Sequence, residues 1–213
     1  MTDLKKKSER TRNRLLTAAS RIFAEKGFQE ATIAEICEQA QTNIASVNYH
    51  FRDKETLYLE SWRFAFNREL SQYPPDAGVS CDAAPEKRLA ALIHSLIERV
   101  ADENGHAFAI LYKEMARPTR LLADILEKEI EPQRSQMFEL LRECLGQAAE
   151  ERHLQFCHDS IMGQCFQLLR LKQIQLARLR RQHPASSGDI KAYADHVVQF
   201  SLAGIQALRS RFP

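Results

Sequence analysis

The sequence has no long uninterrupted apolar stretch. No run of about eighteen uncharged apolar residues occurs in the 213-residue chain, so we expect no membrane-spanning helix. The N-terminal residues are charged and lack the apolar core of a secretory signal, and the five cysteines include no CxxC pair. Together these absences predict a cytoplasmic protein with reduced thiols and no membrane partner.

The sequence also lacks a strong excess of either charge. A formal net charge of +2 argues against a general polyanion binder, so affinity for nucleic acid would require a local concentration of charge. Such a concentration occurs near the N-terminus, where only Asp3 and Glu9 oppose the basic side chains. These basic residues are Lys5, Lys6, Lys7, Arg10, Arg12 and Arg14.

The alternating pattern of β-strands is absent, as is any repeat of fixed length, whereas apolar residues recur at helical spacing along most of the chain. We therefore predict an all-α protein. The first helix is predicted over residues 8–26, with Gly27 as a left-handed C-terminal cap. Residues 73–84 have the composition of a loop.

Good N-cap residues precede each of the next three predicted helices. They are Thr32, Asn43 and Asp53. Thr32 is followed three residues later by Glu35, which is the pattern of a capping box. The helix after Asn43 is predicted over residues 44–50, and its expected inward-facing residues are Ile44, Val47 and Phe51. The spacing predicts two short helices joined by a tight turn.

Helical periodicity continues through the C-terminal part of the chain. Further helices are predicted over residues 54–72, 85–104, 106–116, 121–132, 137–145, 159–182 and 189–208. Pro132 is expected to end or kink its helix, and the polar residues 150–153 are expected to form a break. The last two helices are long and rich in apolar residues, which favours burial against a second subunit.

Residues 8–58 contain FAEKGFQEATIAEICEQA followed by NYHFRDKETLY. Several residues that mark the ends of helices must keep their spacing at the same time in this pattern. The pattern resembles the DNA-binding domain of TetR-family transcriptional regulators. Softer similarity to one branch of that family lies in EMARPT, IEPQ, DSIMGQC and DHVVQFSLAGIQAL. The resemblance implies a three-helix helix-turn-helix DNA-binding domain over residues 1–53. It implies a larger helical ligand-binding and dimerisation domain over residues 54–213.

The resemblance also implies which residues contact DNA. They are Thr32, Asn43, Ala45, Ser46, Asn48, Tyr49, His50 and Lys54. Ala45 and Ser46 would approach base edges or a thymine methyl group, whereas Asn48 would bind an adenine edge or a phosphate. Thr32, Tyr49, His50 and Lys54 would contact phosphates, and the basic N-terminal run would follow the DNA backbone or enter a minor groove.

Two residues depart from the family pattern. Gln41 stands where the family most often has a glycine, and a left-handed Gln41 would cost about 1 kcal/mol. Asn48 stands where the family most often has tyrosine, which affects the identity of the bound sequence. Simpler interpretations stay open as well, with His50 as an ordinary helix-terminal histidine, Tyr49 as a hinge residue and the basic run as a solvated tail.

Two groups of residues in the C-terminal part have ligand-binding chemistry. The first is an aromatic stripe, and the resemblance implies that it lines an effector site between helices. Plain core packing is the alternative. The stripe comprises Trp62, Phe66, Phe108, Tyr112, Met115 and Phe166. The second group comprises Cys144, His153, Cys157, His158, Met162 and Cys165. Because it has none of the close Cys or His pairs of structural zinc sites, we predict no metal and no cofactor, with a metal or redox sensor as the alternative.

These observations predict a homodimeric transcriptional repressor that binds a near-palindromic double-stranded operator and is released by an unknown small-molecule effector. Dimerisation is expected through the C-terminal helices. A helical enzyme or carrier is the first alternative, but no catalytic triad, phosphate-binding glycine loop or pair of metal carboxylates is present in the sequence. A family member that acts as a protein adaptor without binding DNA is the second alternative.

Overall fold

A computed structural model describes residues 2–173 and 190–211. The helices within these residues are α1 (Thr2–Glu30), α2 (Ile33–Gln39), α3 (Ile44–Phe51), α4 (Lys54–Gln72), α5 (Pro85–Ala101), α6 (Ala107–Ala116), α7 (Leu121–Ile125), α8 (Glu131–Leu145), α9 (Glu151–Gln173) and α10 (Ile190–Arg209). No strand occurs within the described residues. The predicted all-α class is confirmed.

Several helix boundaries differ from the prediction. The α9 helix starts at Glu151 and not near Asp159, because the polar residues expected to form a break instead make up its solvated first turn. A π-helical segment, Leu126–Ile130, joins α7 to α8 and ends just before Pro132. The helix predicted over residues 121–132 is therefore divided before Pro132, which has no N–H to donate and lies in the first turn of α8. The predicted end near residue 182 and the loop over 184–188 lie outside the described residues.

The chain divides into two compact units. The first consists of Met1–Glu69 and Asn104–Glu127, and the second of Leu70–Glu103 and Lys128–Pro213. The boundary predicted at residues 53 and 54 therefore lies inside the first unit, in which α6 packs against α1. The division into a DNA-binding domain and a regulatory domain at that boundary stays a prediction.

The core of the first unit is aromatic. The rings of Phe23 and Phe28 both lie edge-on to Tyr58, at centroid distances of 4.9 and 5.1 Å. Trp62 and Phe66 stack at 4.7 Å, and the indole N–H of Trp62 donates to the carbonyl of Ala107 at 3.0 Å. Burial of these large rings supplies much of the hydrophobic stabilisation that holds α1, α4 and α6 together.

The second unit is built around α5, which packs against α8, α9 and α10. Leu89, Ile93 and Ile97 on α5 are fully buried, as their four-residue spacing along one helix face requires. Arg88 on α5 pairs with Glu143 on α8 at 2.8 Å. None of the helices in the described residues is long and apolar enough to cross a membrane.

Candidate nucleic-acid interface

The helix-turn-helix begins with a complete capping box. The backbone N–H of Glu35 donates to the Thr32 hydroxyl at 3.2 Å, and the backbone N–H of Thr32 donates to the Glu35 carboxylate at 3.1 Å. Lys26 pairs with the same carboxylate, and this pair together with the Thr32 bonds lowers the pKa of Glu35. The cap predicted from the sequence is confirmed, and it fixes the start of α2.

A Schellman motif forms the turn between α2 and α3. The N–H of Thr42 donates to the carbonyl of Cys37 at 2.9 Å, and that of Gln41 donates to the carbonyl of Glu38 at 3.0 Å. Gln41 has a φ of 48°, in the left-handed region expected from its place in the motif. A non-glycine residue thus holds the position at which glycine is least strained.

A guanidinium from α1 compensates for this strain. Arg14 donates hydrogen bonds from one nitrogen to the carbonyl oxygens of both Ala40 and Gln41, the second at 2.8 Å. Charge-assisted bonds of this kind are stronger than bonds between neutral groups. Arg14 therefore holds the turn against α1 and sets where α3 begins.

Asn43 caps α3 as predicted. Its side-chain oxygen accepts from the N–H of Ser46 at 3.0 Å and from the hydroxyl of Ser46 at 3.1 Å. The Ser46 hydroxyl in turn accepts from the hydroxyl of Thr42 at 2.9 Å. These bonds orient the Ser46 hydroxyl toward Asn43 and Thr42. A contact between this hydroxyl and DNA would compete with these bonds.

The outward face of α3 carries most of the predicted DNA contacts. Ala45 and Asn48 are exposed, and Tyr49 is 78% exposed. Val47 and Phe51 are buried on the opposite side and attach the helix to the rest of the first unit. A short helix held by two buried residues, with small and polar residues outward, is the form of a recognition helix.

The prediction that Ile44 faces inward is wrong. Its side chain is 54% exposed although it shares a helix side with Val47 and Phe51. Helical periodicity gives the side of a helix but does not say how far the neighbouring helices extend along it.

His50 is half-buried beside the exposed ring of Tyr49, at a centroid distance of 4.9 Å. Burial and the nearby charge of Arg12 lower the pKa of His50 below its usual value. The lowered pKa favours the neutral imidazole, whose ring N–H can donate a hydrogen bond to a phosphate without carrying a positive charge.

The junction between α3 and α4 is a strained turn. Arg52 has a φ of 67° and ψ of −53°, and the N–H of Asp53 donates across it to the carbonyl of Phe51 at 2.8 Å. This is the geometry of a γ-turn of the rarer, strained kind. Asp53 then caps α4 by accepting from the N–H of Thr56 at 2.7 Å, which lowers the pKa of Asp53.

Lys54 is positioned by an aromatic ring. Its ammonium lies over the ring of Phe28 at 4.7 Å from the centroid, and burial lowers the pKa of Lys54. The cation–π contact draws the charge toward the interior of the first unit. Its backbone N–H at the start of α4 is the group better suited to a phosphate.

The basic N-terminal run does not act as one group. Arg12 pairs with Glu60 on α4 and lies over the ring of Phe51 at 5.3 Å, so both Arg12 and Arg14 bind groups of their own chain. Lys5, Lys6, Lys7 and Arg10 are exposed. No signal in the sequence distinguishes the arginines that hold the helix-turn-helix from the charges that face solvent.

Arg14→Met is expected to weaken operator binding about five- to twentyfold, because the turn loses two charge-assisted bonds and α3 is no longer held in one position. Arg10→Met, an exposed position on the same helix, serves as the matched control for lost positive charge. Fluorescence anisotropy at several salt concentrations measures both variants. The slope of the logarithm of the binding constant against the logarithm of the salt concentration should become shallower for Arg10→Met and should not change for Arg14→Met. Equal changes in slope would mean that Arg14 contacts DNA itself.

The six residues predicted for an effector pocket have unequal environments. Trp62, Phe66 and Phe108 are buried, and Met115 is 52% exposed. Tyr112 and Phe166 are half-buried, and Phe166 belongs to the second unit while the other five belong to the first. The cavity beside Phe200 and the cavity beside Pro75 are both lined by other residues. The effector pocket stays a prediction.

The cysteine and histidine group offers poor ligands. Cys144, Cys157 and Cys165 are buried, and burial raises the pKa of Cys144 to about 11 and that of Cys165 to about 12. Thiols with raised pKa values hold their protons at neutral pH, whereas metal binding and oxidation require the thiolate. Within the described residues no cluster of His, Cys, Asp or Glu side chains is arranged to hold a metal ion.

Comparison with known proteins identifies both halves of the chain. Residues 15–60 match the family model of bacterial regulatory proteins of the tetR family. Residues 85–205 match the C-terminal domain of the HTH-type transcriptional dual regulator CecR. The CecR protein of Shigella flexneri is 28% identical over 169 residues, covering 74% of this chain and 75% of its own.

Other relatives agree. The HTH-type transcriptional repressor KstR2 of Mycobacterium tuberculosis is 29% identical over 146 residues, covering 66% of this chain and 67% of its own. The fold is similar to that of AibR, which was solved in complex with isovaleryl coenzyme A and operator DNA. The TM-score is 0.65 at 17% identity over 89% of this chain and 97% of that one.

The helix-turn-helix and these matches define a DNA-binding transcriptional regulator, and the chain belongs to the TetR family. Within that family, its C-terminal part is of the CecR type. The relatives are regulators of transcription, so the chain is not an enzyme, and the enzyme alternative is excluded.

Proposed function

We propose that this regulator is a homodimeric repressor, and that one α3 helix from each protomer enters successive major grooves of a near-palindromic operator. The observation that carries this proposal is the outward face of α3, on which Asn48 and the 78% exposed Tyr49 lie opposite two buried residues. The DNA contacts proposed are the set predicted from the sequence. The half-sites would lie about one helical turn apart.

The surface of α9 and α10 supports dimerisation. Phe156 on α9 and Phe200 on α10 are each 63% exposed. They flank a cavity of about 160 Å³ whose other lining residues come from the same two helices and include Gly204 and Leu208. Large exposed aromatic residues beside an apolar cavity are typical of an interface. Since the cavity and the phenylalanines lie on one surface, two copies related by a two-fold axis can cover each other.

Release by a small-molecule effector is the third part of the proposal. An effector would lower the affinity for DNA by the difference between its binding free energies to the two states of the protein. AibR, of the same fold, has been solved with both isovaleryl coenzyme A and operator DNA, so this fold can accommodate both kinds of partner. For this chain we propose a small-molecule effector of unknown identity. We also propose the cytoplasmic location predicted from the sequence.

Selection of bound DNA from a random pool tests the DNA-binding proposal. We expect enrichment of a near-palindromic sequence. On that sequence Tyr49→Ala should weaken binding about tenfold regardless of base changes, whereas Asn48→Ala should also relax the preference at one position in each half-site. Thr17→Ala, an exposed change on α1, is the control. Wild-type affinity of both α3 variants across a salt titration would exclude this face as the DNA contact.

A further inference from the structure

We propose that Ile44 recognises the C5-methyl group of a thymine in each half-site and so determines the base preference at that position. The proposal rests on the proposed function, since it requires α3 to lie in the major groove. Ile44 is 54% exposed at the first position of α3, and it is one of two large hydrophobic residues exposed on this helix, with Tyr49.

The folding of α3 does not explain an isoleucine at this position. The helix is attached by the buried side chains of Val47 and Phe51 and started by the Asn43 cap. A β-branched residue is a weaker helix former than many polar residues, so an exposed isoleucine in the first turn gives little stability. Its apolar surface is left available for a contact outside the chain.

The chemistry of that surface selects one group in the major groove. Ala45, the next residue of α3, is also exposed, so the first two positions of the helix both carry exposed apolar side chains. This end of a recognition helix is the part that approaches base edges. Among the base edges of the major groove, the thymine methyl group is the apolar element, whereas the other positions present hydrogen-bonding groups.

The side chain of isoleucine also suits this contact. Its two Cβ substituents restrict χ1, so little conformational entropy is lost when it packs against a methyl group. Tyr49, the other exposed hydrophobic residue, carries a hydroxyl and lies five positions further along α3, beside His50. The two exposed side chains therefore divide the roles, with base recognition by Ile44 and phosphate contact by Tyr49.

Single-atom changes in the DNA test this assignment. Each thymine of the operator selected with the wild-type protein is replaced by deoxyuridine, symmetrically in both half-sites, which removes only the methyl group. We expect wild-type binding to weaken about three- to tenfold at one thymine position per half-site. Ile44→Ala should weaken binding to the unmodified operator and lose its sensitivity to deoxyuridine at that position alone.

The controls separate this contact from its neighbours. Ala45→Gly removes the adjacent methyl group and should leave the deoxyuridine effect at the Ile44 position intact, and Tyr49→Ala should do the same. Because Ile44 is exposed, thermal unfolding of Ile44→Ala should match that of the wild type. Ile44→Val, which keeps the branched carbon, should retain part of the deoxyuridine effect.

The outcomes distinguish this inference from the proposed function. If an operator is selected and Ile44→Ala keeps every deoxyuridine penalty of the wild type, then Ile44 contacts no thymine methyl and the inference is overturned. If Ile44→Ala changes the oligomeric state and leaves operator affinity unchanged, the exposed isoleucine belongs to a protein interface and the inference also fails. If no sequence is enriched at all, the proposed function itself fails.

Discussion

Phe200→Glu is expected to convert the dimer to a monomer and to weaken operator binding about 10²- to 10⁴-fold. Phe200 is 63% exposed on α10, so the glutamate is solvated in the monomer and the fold should tolerate it. In the dimer, the same carboxylate would be buried against an apolar surface without a partner, which is costly. The loss in DNA affinity arises because two linked α3 helices bind a two-part operator far more tightly than one.

Light scattering and operator binding measure the two consequences separately. The variant should have the mass of one chain, bind full and half operators with similar affinity, and unfold at the wild-type temperature at high dilution. Leu126→Glu places the same charge at a 41% exposed apolar position in the first unit and should remain dimeric. A Phe200→Glu protein with the mass of two chains and wild-type affinity would contradict dimerisation through α9 and α10.

Phe200→Leu separates charge from shape in that experiment. Leucine keeps most of the apolar area, so the dimer should persist with a higher dissociation constant. If leucine and glutamate have equal effects, the aromatic ring itself is required. The companion change Phe156→Glu on α9 should repeat the effect of Phe200→Glu, because both residues flank the same cavity.

Local signals were sufficient to predict the framework of the helix-turn-helix. The Thr32 capping box, the Asn43 cap and the Asp53 cap each involve residues within three positions of one another, and each forms as predicted. The left-handed conformation of Gln41 follows from its position between two caps. Such features depend on short-range hydrogen bonds and can be derived from a few consecutive residues.

Features that depend on distant parts of the chain could not be derived in this way. Arg14 binds a turn 26 and 27 positions away, and Arg12 binds Glu60, yet the sequence shows both only as members of a basic run. The exposure of Ile44 depends on where α1 and α2 stop covering α3. The division of the chain into two units could not be predicted either, because residues 104–127 join the first unit through contacts between distant segments.

The aromatic stripe shows the same limit in another form. Its spacing indicates that Trp62 and Phe66 share a helix face but does not distinguish a core from a pocket. In the structure both rings are almost completely buried, and the Trp62 N–H has a protein carbonyl as its partner. A polar tip bonded within the chain is typical of core aromatic residues. Contact with an effector would require a cavity beside these residues, and the spacing of residues in the sequence does not indicate one.

Glu114→Ala is expected to lower the free energy of unfolding by about 3 kcal/mol. Glu114 is 3% exposed, and one of its carboxylate oxygens accepts from the Tyr58 hydroxyl at 2.8 Å. The other oxygen accepts from the backbone N–H of Thr119 at 2.6 Å and from its hydroxyl. The carboxylate thus joins α4 to the end of α6, and alanine would leave the buried Tyr58 hydroxyl and the two half-buried donors of Thr119 without this acceptor.

Two milder variants locate the effect within this network. Tyr58→Phe removes one hydroxyl donor and should cost about 1 kcal/mol, because Glu114 keeps its bonds to Thr119. Glu114→Gln keeps the shape of the side chain and one acceptor oxygen. Its decrease in the free energy of unfolding should lie between those of Tyr58→Phe and Glu114→Ala. Urea unfolding measures each variant and the double variant, and the effects should be far from additive since the groups share bonds. Additive effects would mean that Tyr58 and Glu114 act independently.

The pH dependence of stability gives a second test of the same network. Burial, the bond to Glu114 and its charge raise the pKa of Tyr58 above its ordinary value of 10.0. A raised pKa in the folded state means that the contribution is complete below pH 10.0 and is lost as the pH rises, because only the unfolded chain then releases the proton. Tyr58→Phe should flatten this alkaline decrease. If the decrease is as steep in Tyr58→Phe as in the wild type, the phenol is not held protonated in the folded state, and the proposed contribution of the Tyr58–Glu114 bond to stability is wrong.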